Sequence, residues 1–193
     1  MKTFYVVRHA KAEGQPFSAR LTESGREQAL KLIDFFKDKE INRIYSSPFV
    51  RAMETIRPLA QSRNLEIVEE IRLGERVLSS ILFDDWQEKL KQSFSDFELV
   101  FEGGESHSSG MERAASLLDE LIASSENHIV LVSHGNLSTL LLRYFDENAG
   151  FEHLMKMSNP DVFEIKADSE GAAWRRIWNE KQCLEKLNFQ IWH

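Results

Sequence analysis

The chain has 193 residues, of which 42% are hydrophobic and 28% are charged, and its formal net charge is −7. This length and composition predict one globular domain over residues 1–193 and exclude a mainly disordered chain. The negative charge argues against nonspecific nucleic-acid binding, which needs a basic surface.

The first half of the chain alternates short β-rich runs with helical patterns. Thr3–Val7 predicts a buried strand, and Thr22 is a suitable N-cap for a helix that runs to about Lys39. A second strand is predicted over Ile41–Tyr45, and a helix with one apolar face follows it. Glu66–Glu70 predicts a third and more polar strand.

The second half of the chain continues this alternation. Residues 79–97 predict an amphipathic helix, and residues 108–125 predict another. Ile129–Val132 is apolar on both faces, which is typical of a central parallel strand. Val162–Lys166 and Ala173–Trp178 predict two closing strands. The apolar anchors expected for the 79–97 helix are Ile81, Leu82, Trp86 and Leu90.

Strands that alternate with helices predict an α/β fold, a three-layer α/β/α sandwich with a mainly parallel central sheet. In such folds ligands bind beyond the carboxyl ends of the strands. His9 and His134 each follow directly after a predicted strand. We therefore expect both histidines at the ligand-binding edge of the sheet.

Cationic side chains accompany these histidines. Arg8 precedes His9, and Arg51 lies in the first turn of a helix, where a cation opposes the helix dipole unless an anion is bound nearby. Gly135 follows His134 and starts a helix whose free N–H groups would attract an anion. Each feature alone also fits an exposed side chain, but together they indicate an anion site.

Five motifs, in the same order and at the same spacing, resemble the histidine phosphatase superfamily, the phosphoglycerate-mutase-like family or branch one. The resemblance covers roughly residues 3–140, and the chain departs from the family pattern at Ala10, where glycine is usual. The motifs are Arg8-His9-Ala10-Lys11-Ala12-Glu13, Leu21-Thr22-x-x-Gly25-x-x-Gln28-Ala29, Ser46-Ser47-Pro48-x-x-Arg51-Ala52-x-x-Thr55, Gly104-Glu105-Ser106 and Ser133-His134-Gly135-Asn136.

The resemblance implies a role for each matching residue. His9 would be the nucleophile that becomes phosphorylated, while Arg8, Arg51 and His134 would surround the phosphoryl group. His134 would also belong to the catalytic set. Glu75 matches the acid/base glutamate of the family, which would protonate the leaving oxygen. Residues 73–107 would form a cap or insert over the pocket.

The function implied by the resemblance is a metal-independent phosphatase that hydrolyses a small phosphorylated metabolite through a phosphohistidine, with no cofactor. Three alternatives remain. The sequence Arg8-His9-Ala10-Lys11 suggests a phosphohistidine protein phosphatase, although that branch lacks the insert at 73–107. A phosphoglycerate-type mutase would carry more basic residues. An inactive phospho-ligand binding module would not need the intact set of two histidines and two arginines.

Cysteine content and hydropathy limit the location and the partners. The single cysteine, Cys183, excludes an internal disulfide and a thiolate metal cage, as expected in a reducing cytoplasm. The longest apolar run, Leu137–Phe145, is too short for a membrane span and contains Arg143. We therefore predict a cytoplasmic protein whose partner is a small phosphorylated substrate, without nucleic acid or membrane.

Overall fold

The structure, a computed structural model, describes residues 1–179, and Cys183 lies outside the described residues. Strands and helices alternate along this part of the chain, and a 3-10 turn at Ile71–Leu73 follows the third strand. The elements are β1 (Lys2–Arg8), α1 (Glu23–Phe36), β2 (Arg43–Ser46), α2 (Val50–Arg63), β3 (Ile67–Glu69), α3 (Trp86–Ser95), α4 (His107–Ala123), β4 (His128–Ser133), α5 (Gly135–Arg143), α6 (Phe151–Met155), β5 (Asp161–Asp168) and β6 (Gly171–Arg176).

The strands described within residues 1–179 form one six-stranded sheet in the order β3-β2-β4-β1-β5-β6. The first four strands in this order are parallel, whereas β5 and β6 are each antiparallel to the preceding strand. The predicted α/β fold with a mainly parallel sheet is confirmed, and β4 is central as its double-sided apolar pattern indicated.

Helices cover both faces of the sheet. In β1, Tyr5 and Val7 pack with residues of α1 and α2, whereas Phe4 and Val6 pack with residues of α4 and α5. Alternation of this kind follows from the two-residue period of a strand, which sends successive side chains to opposite faces. The two apolar cores produce the predicted three layers.

The parallel strands place three chain segments at one edge. Arg8 at the end of β1 lies opposite Ser133 at the end of β4, and Ser46 at the end of β2 lies opposite Val132. Because β5 runs antiparallel to β1, its first residue, Asp161, lies opposite Arg8. The segments that follow β1, β2 and β4 therefore meet the segment that precedes β5.

The helix predicted over residues 79–97 is wrong in its first part, because only α3 (Trp86–Ser95) forms. Ser79 Oγ and Ser80 N both donate to the carbonyl of Glu102, at 2.8 Å each, and Ile81 N donates to Ser79 Oγ at 3.0 Å. These bonds occupy the backbone N–H groups of Ser80 and Ile81, so neither donates to a helical carbonyl. Among the predicted anchors, Leu90 is buried, whereas Ile81, Leu82 and Trp86 are exposed, Leu82 to 99%.

The helices of the described residues include none that is long and apolar enough to cross a membrane.

Candidate active site

His9 follows β1 at the carboxyl edge of the sheet and is buried. Its Nδ1 lies 2.7 Å from the carbonyl oxygen of Ala10, which can only accept, so Nδ1 carries the ring proton. Its Nε2 accepts a hydrogen bond from Nε of Arg51 at 3.2 Å. The neutral ring therefore presents its lone pair on Nε2 toward a guanidinium group.

The protonation state of His9 is set by its surroundings. Burial is the main cause that lowers the pKa of the imidazole from 6.5 to about 3; the positive charges of Arg51 and Arg8 contribute in the same direction, and the hydrogen bond to Ala10 opposes them. Both effects disfavour the imidazolium ion. At neutral pH the ring is uncharged, which is the form that can attack phosphorus.

Arg51 lies in the first turn of α2 and is only 1% exposed. Its Nη1 donates to the carbonyl oxygens of Gln15 and Pro16 at 2.9 Å each, while its Nε faces His9. The guanidinium carbon also lies 4.9 Å from the centre of the Phe49 ring. Arg51 thus joins the loop after β1 to the nucleophile candidate.

Arg8 enters the site from the end of β1 and donates from Nη1 to the carbonyl of Met157 at 3.0 Å. A Cβ on Gly135 would lie 3.2 Å from Cζ of Arg8 and 3.0 Å from Cδ1 of Leu154. The glycine therefore leaves the space that the Arg8 guanidinium occupies. Nε of Arg8 is buried and has no hydrogen-bond partner within residues 1–179.

His134 ends the loop between β4 and α5 and is fully buried. Its ring centre lies 5.1 Å from that of His9 and 4.7 Å from that of Phe49. Nε2 of His134 is 2.8 Å from Oγ of Ser47, which follows β2. Burial first, and then electrostatic interaction with His9 and Arg51, hold the pKa of His134 well below 6.5.

Glu75 reaches the site from the segment after the 3-10 turn, and it binds the start of α5. Its carboxylate accepts from the N–H groups of Asn136 and Leu137 at 3.4 and 3.1 Å. The sequence-based expectation that this helix start offers free N–H groups to an anion is therefore wrong for these two. Burial raises the pKa of Glu75, while these bonds and the charge of Arg8 oppose the shift.

The structure brings all five predicted residues together at one edge of the sheet. Glu75 lies close enough to Arg8 and Arg51 to act on both electrostatically, and the two histidine rings are in contact. Sequence reasoning gave Ser47 no role of its own, although it belongs to a motif used for the resemblance. It also missed Asn159, whose Nδ2 donates to the carbonyl of His9 at 2.8 Å.

The arrangement can perform acid-assisted nucleophilic chemistry on an anion. It contains a neutral imidazole nucleophile, two arginines that can bind phosphoryl oxygens, and a carboxyl group whose raised pKa favours the protonated acid. Within the described residues, no three side chains of His, Cys, Asp or Glu are grouped so that they could hold a metal ion.

Comparison with known proteins adds a family assignment. The model of the histidine phosphatase superfamily (branch 1) matches residues 4–180. Phosphoserine phosphatase 1 of Hydrogenobacter thermophilus is 31% identical over 150 residues, which cover 69% of this chain and 71% of that protein. The match extends well beyond the five motifs.

Two solved structures share the fold. A phosphoserine phosphatase mutant from Entamoeba histolytica, in complex with phosphoserine, superimposes with a TM-score of 0.78 at 23% identity, covering 95% of this chain and 100% of that one. The mycobacterial glucosyl-3-phosphoglycerate phosphatase in complex with inorganic phosphate gives 0.75 at 24% identity, covering 93% and 97%. At these identities the comparison shows the same fold.

Proposed function

Because this chain belongs to branch 1 of the histidine phosphatase superfamily, we propose that it hydrolyses a phosphate monoester of a small metabolite through a phosphohistidine intermediate. The main support is the geometry of His9. Its Nδ1 is committed to the carbonyl of Ala10, so the lone pair on Nε2 faces the Arg51 guanidinium, where an anion would bind.

In the first step, Nε2 of His9 attacks phosphorus in line with the ester oxygen. The P–O ester bond breaks, and the leaving oxygen takes the proton of Glu75. Arg8 and Arg51 donate to the phosphoryl oxygens and stabilise the charge that develops on them. Nε of Arg8 is a suitable donor because it is buried and has no partner within the described residues.

In the second step, water attacks the phosphohistidine, and the Glu75 carboxylate accepts the proton of the water. The N–P bond breaks, its electron pair returns to Nε2, and inorganic phosphate leaves. Glu75 thus acts as acid and then as base, which requires a pKa between that of an ordinary carboxyl and neutrality. The upward shift that burial causes moves it in this direction.

The relatives support the proposed substrate class. The proteins similar to this chain include phosphatases named for phosphoserine and for glucosyl-3-phosphoglycerate, both small phosphorylated metabolites. We propose a substrate of that size. The test is a screen of phosphoserine, phosphoglycerates, sugar phosphates and nitrophenyl phosphate, together with a phosphohistidine peptide. The proposal fails if no small monoester is hydrolysed faster than the peptide.

Activity is expected to survive metal chelation, because nucleophile, cations and acid are all side chains of this chain. Vanadate should inhibit, since it adopts the five-coordinate geometry of the phosphorus in the transition state. The measurement compares kcat/KM after dialysis against EDTA with that of untreated enzyme, and titrates vanadate against both. Loss of activity in EDTA that a divalent metal restores would contradict the proposed mechanism.

In the pH profile of kcat/KM, the acidic limb should lie at an unusually low pH. His9 attacks only when neutral, and its pKa is lowered to about 3, so protonation should remove activity only as the pH falls toward that value. The alkaline limb should report loss of the Glu75 proton, and Glu75→Gln should abolish this limb. Rates are corrected for ionisation of the substrate phosphate. An acidic limb near 6.5 would contradict the lowered pKa of His9.

A further inference from the structure

The peptide group that joins His9 to Ala10 is held at both ends by side chains from other elements. Its carbonyl oxygen accepts from Nδ2 of Asn159 at 2.8 Å, and its N–H donates to Oγ1 of Thr55 at 2.9 Å. Ala10 is fully buried, so its surroundings also restrain the main chain. Rotation of this peptide plane would break both hydrogen bonds at once.

This peptide group directly precedes the carbonyl that binds the His9 ring. The carbonyl of the next residue, Ala10, accepts from Nδ1 of His9 at 2.7 Å, and that bond leaves the lone pair on Nε2. An uncompensated rotation about the N–Cα bond of Ala10 would move the Ala10 carbonyl relative to the His9 ring. The ring would then lose the acceptor that fixes its tautomer, because tautomer choice follows the hydrogen bond of the other nitrogen.

The hydroxyl of Thr55, which binds the Ala10 end of this peptide group, has defined donor and acceptor roles. Oγ1 of Thr55 donates its proton to the carbonyl of Arg51 at 2.7 Å, one helical turn earlier in α2. Its oxygen is then left to accept the N–H of Ala10. The same hydroxyl therefore connects the helix turn that contains Arg51 to the main chain of the nucleophile.

The Asn159 end is anchored by the turn before β5. Within this turn, Ser158 N donates to Oδ2 of Asp161 at 2.9 Å, and Ser158 Oγ donates to the carbonyl of Pro160 at 2.7 Å. Arg176 of β6 donates to Asp161 at 2.9 Å and to Ser158 Oγ at 3.0 Å. Asp161 is fully buried, so this network holds the turn firmly against the end of β1.

We propose that Asn159 and Thr55 are positioning residues, which hold the peptide between His9 and Ala10 so that Nε2 of His9 faces the phosphoryl group. This inference rests on the proposed function, because the positioning serves attack by His9. Asn159 belongs to none of the five motifs and lies 150 residues from His9 in the chain. Its amide donates to the main chain of the nucleophile.

The test compares Asn159→Ala and Asn159→Asp with wild type. A misplaced nucleophile costs on the order of 10²-fold in rate, so we expect kcat to fall by about that factor while KM changes by less than about threefold. Aspartate keeps the shape of the side chain but cannot donate at neutral pH, so it should not restore kcat. Asn148→Ala, in an exposed turn around Asp146, is the matched control and should keep wild-type kcat.

A second readout does not depend on turnover. In ¹⁵N-labelled protein, long-range ¹H–¹⁵N spectra of the imidazole should show His9 protonated on Nδ1 in the wild type and as a mixture of tautomers in Asn159→Ala. An unchanged tautomer in that variant, or wild-type kcat in Asn159→Asp, would overturn the positioning role. Absence of phosphatase activity in wild type would instead refute the proposed function, while the tautomer measurement would still test Asn159.

Thr55 provides an independent pair of variants if Asn159→Ala does not fold. Thr55→Ser keeps the hydroxyl and should retain most of kcat, whereas Thr55→Val has the same shape without the hydroxyl and should lose it. Because both residues hold one peptide group, the Asn159→Asp/Thr55→Val double variant should lose less than the product of the single losses. Equal kcat in the serine and valine variants, or multiplicative losses in the double variant, would contradict the proposal.

Discussion

In the His9→Ala variant we expect kcat for phosphomonoester hydrolysis to fall by about 10⁴-fold or more, since removing a covalent nucleophile removes the reaction path itself. The fold should survive, because alanine fits where the larger imidazole lay and the main-chain bonds of residue 9 to Ser133 and Asn159 are retained. Steady-state kinetics measure the loss, and circular dichroism with thermal melting reports the fold.

The matched control for this variant is His128→Ala. His128 begins β4 at the opposite end of the sheet from His134, and its Nε2 lies 3.4 Å from a carboxylate oxygen of Glu40. Its removal should leave kcat unchanged. Activity in His9→Ala within about tenfold of wild type, with the protein folded, would eliminate covalent catalysis by His9.

Trapping the intermediate makes the prediction more specific. Rapid quenching with labelled substrate should place an acid-labile phosphate on Nε2 of His9, because Nδ1 is bonded to the Ala10 carbonyl. Peptide mapping locates the residue, and ³¹P NMR distinguishes the two ring positions. Label on His134 would instead show that His134 is the nucleophile. The ring centres of the two histidines are 5.1 Å apart.

The Glu75→Gln variant should lose activity in proportion to how poor the leaving group is. General acid assistance is worth ~10²–10⁴-fold, so kcat/KM on an alkyl phosphate should fall by a factor in that range. Nitrophenolate is a stable anion that hardly needs a proton, so the loss on nitrophenyl phosphate should be far smaller. The measurement is kcat/KM for a series of leaving groups. We expect kcat/KM of the variant to fall more steeply with the pKa of the leaving group than kcat/KM of the wild type.

Glu66→Gln is the control for this experiment, because Glu66 is exposed and precedes β3. Glutamine at position 75 also keeps an oxygen that can accept from the N–H of Leu137, so the start of α5 should remain in place. Equal losses on all leaving groups would mean that Glu75 only positions this helix. Glu105 is a poor substitute acid, because both its oxygens bind Arg113 at 2.7 Å.

The sequence alone determined that the chain forms an α/β sheet and that each of the two histidines follows a buried strand. The runs around β1 and β4 are apolar on both faces, which predicts buried strands in the interior of the sheet. Parallel strands end at a common edge, so His9 and His134 had to meet there. The N-cap role of Thr22 was also predictable from the local sequence, and its side chain does accept from Gly25 N at 3.0 Å.

Residues 79–97 show where local patterns were insufficient. Apolar residues at helical spacing predicted a helix over 79–97, yet hydrogen bonds from Ser79 and Ser80 to Glu102 keep its first part irregular. These bonds join segments more than twenty residues apart. The spacing of apolar residues compares only neighbours in the chain. It therefore does not account for hydrogen bonds to distant residues, which compete with those of a helix.

Only the tertiary structure decided how the site residues are oriented and restrained. Glu75 could be aligned with a family position, but its bonds to the first turn of α5 cross 61 and 62 residues of chain. Ser47 meets His134 across 87 residues, and Asn159 meets His9 across 150. A hydrogen bond needs its donor and acceptor within about 3 Å in a suitable direction, and for residues so far apart that geometry comes from the packing of the sheet and its helices, which sequence spacing does not encode.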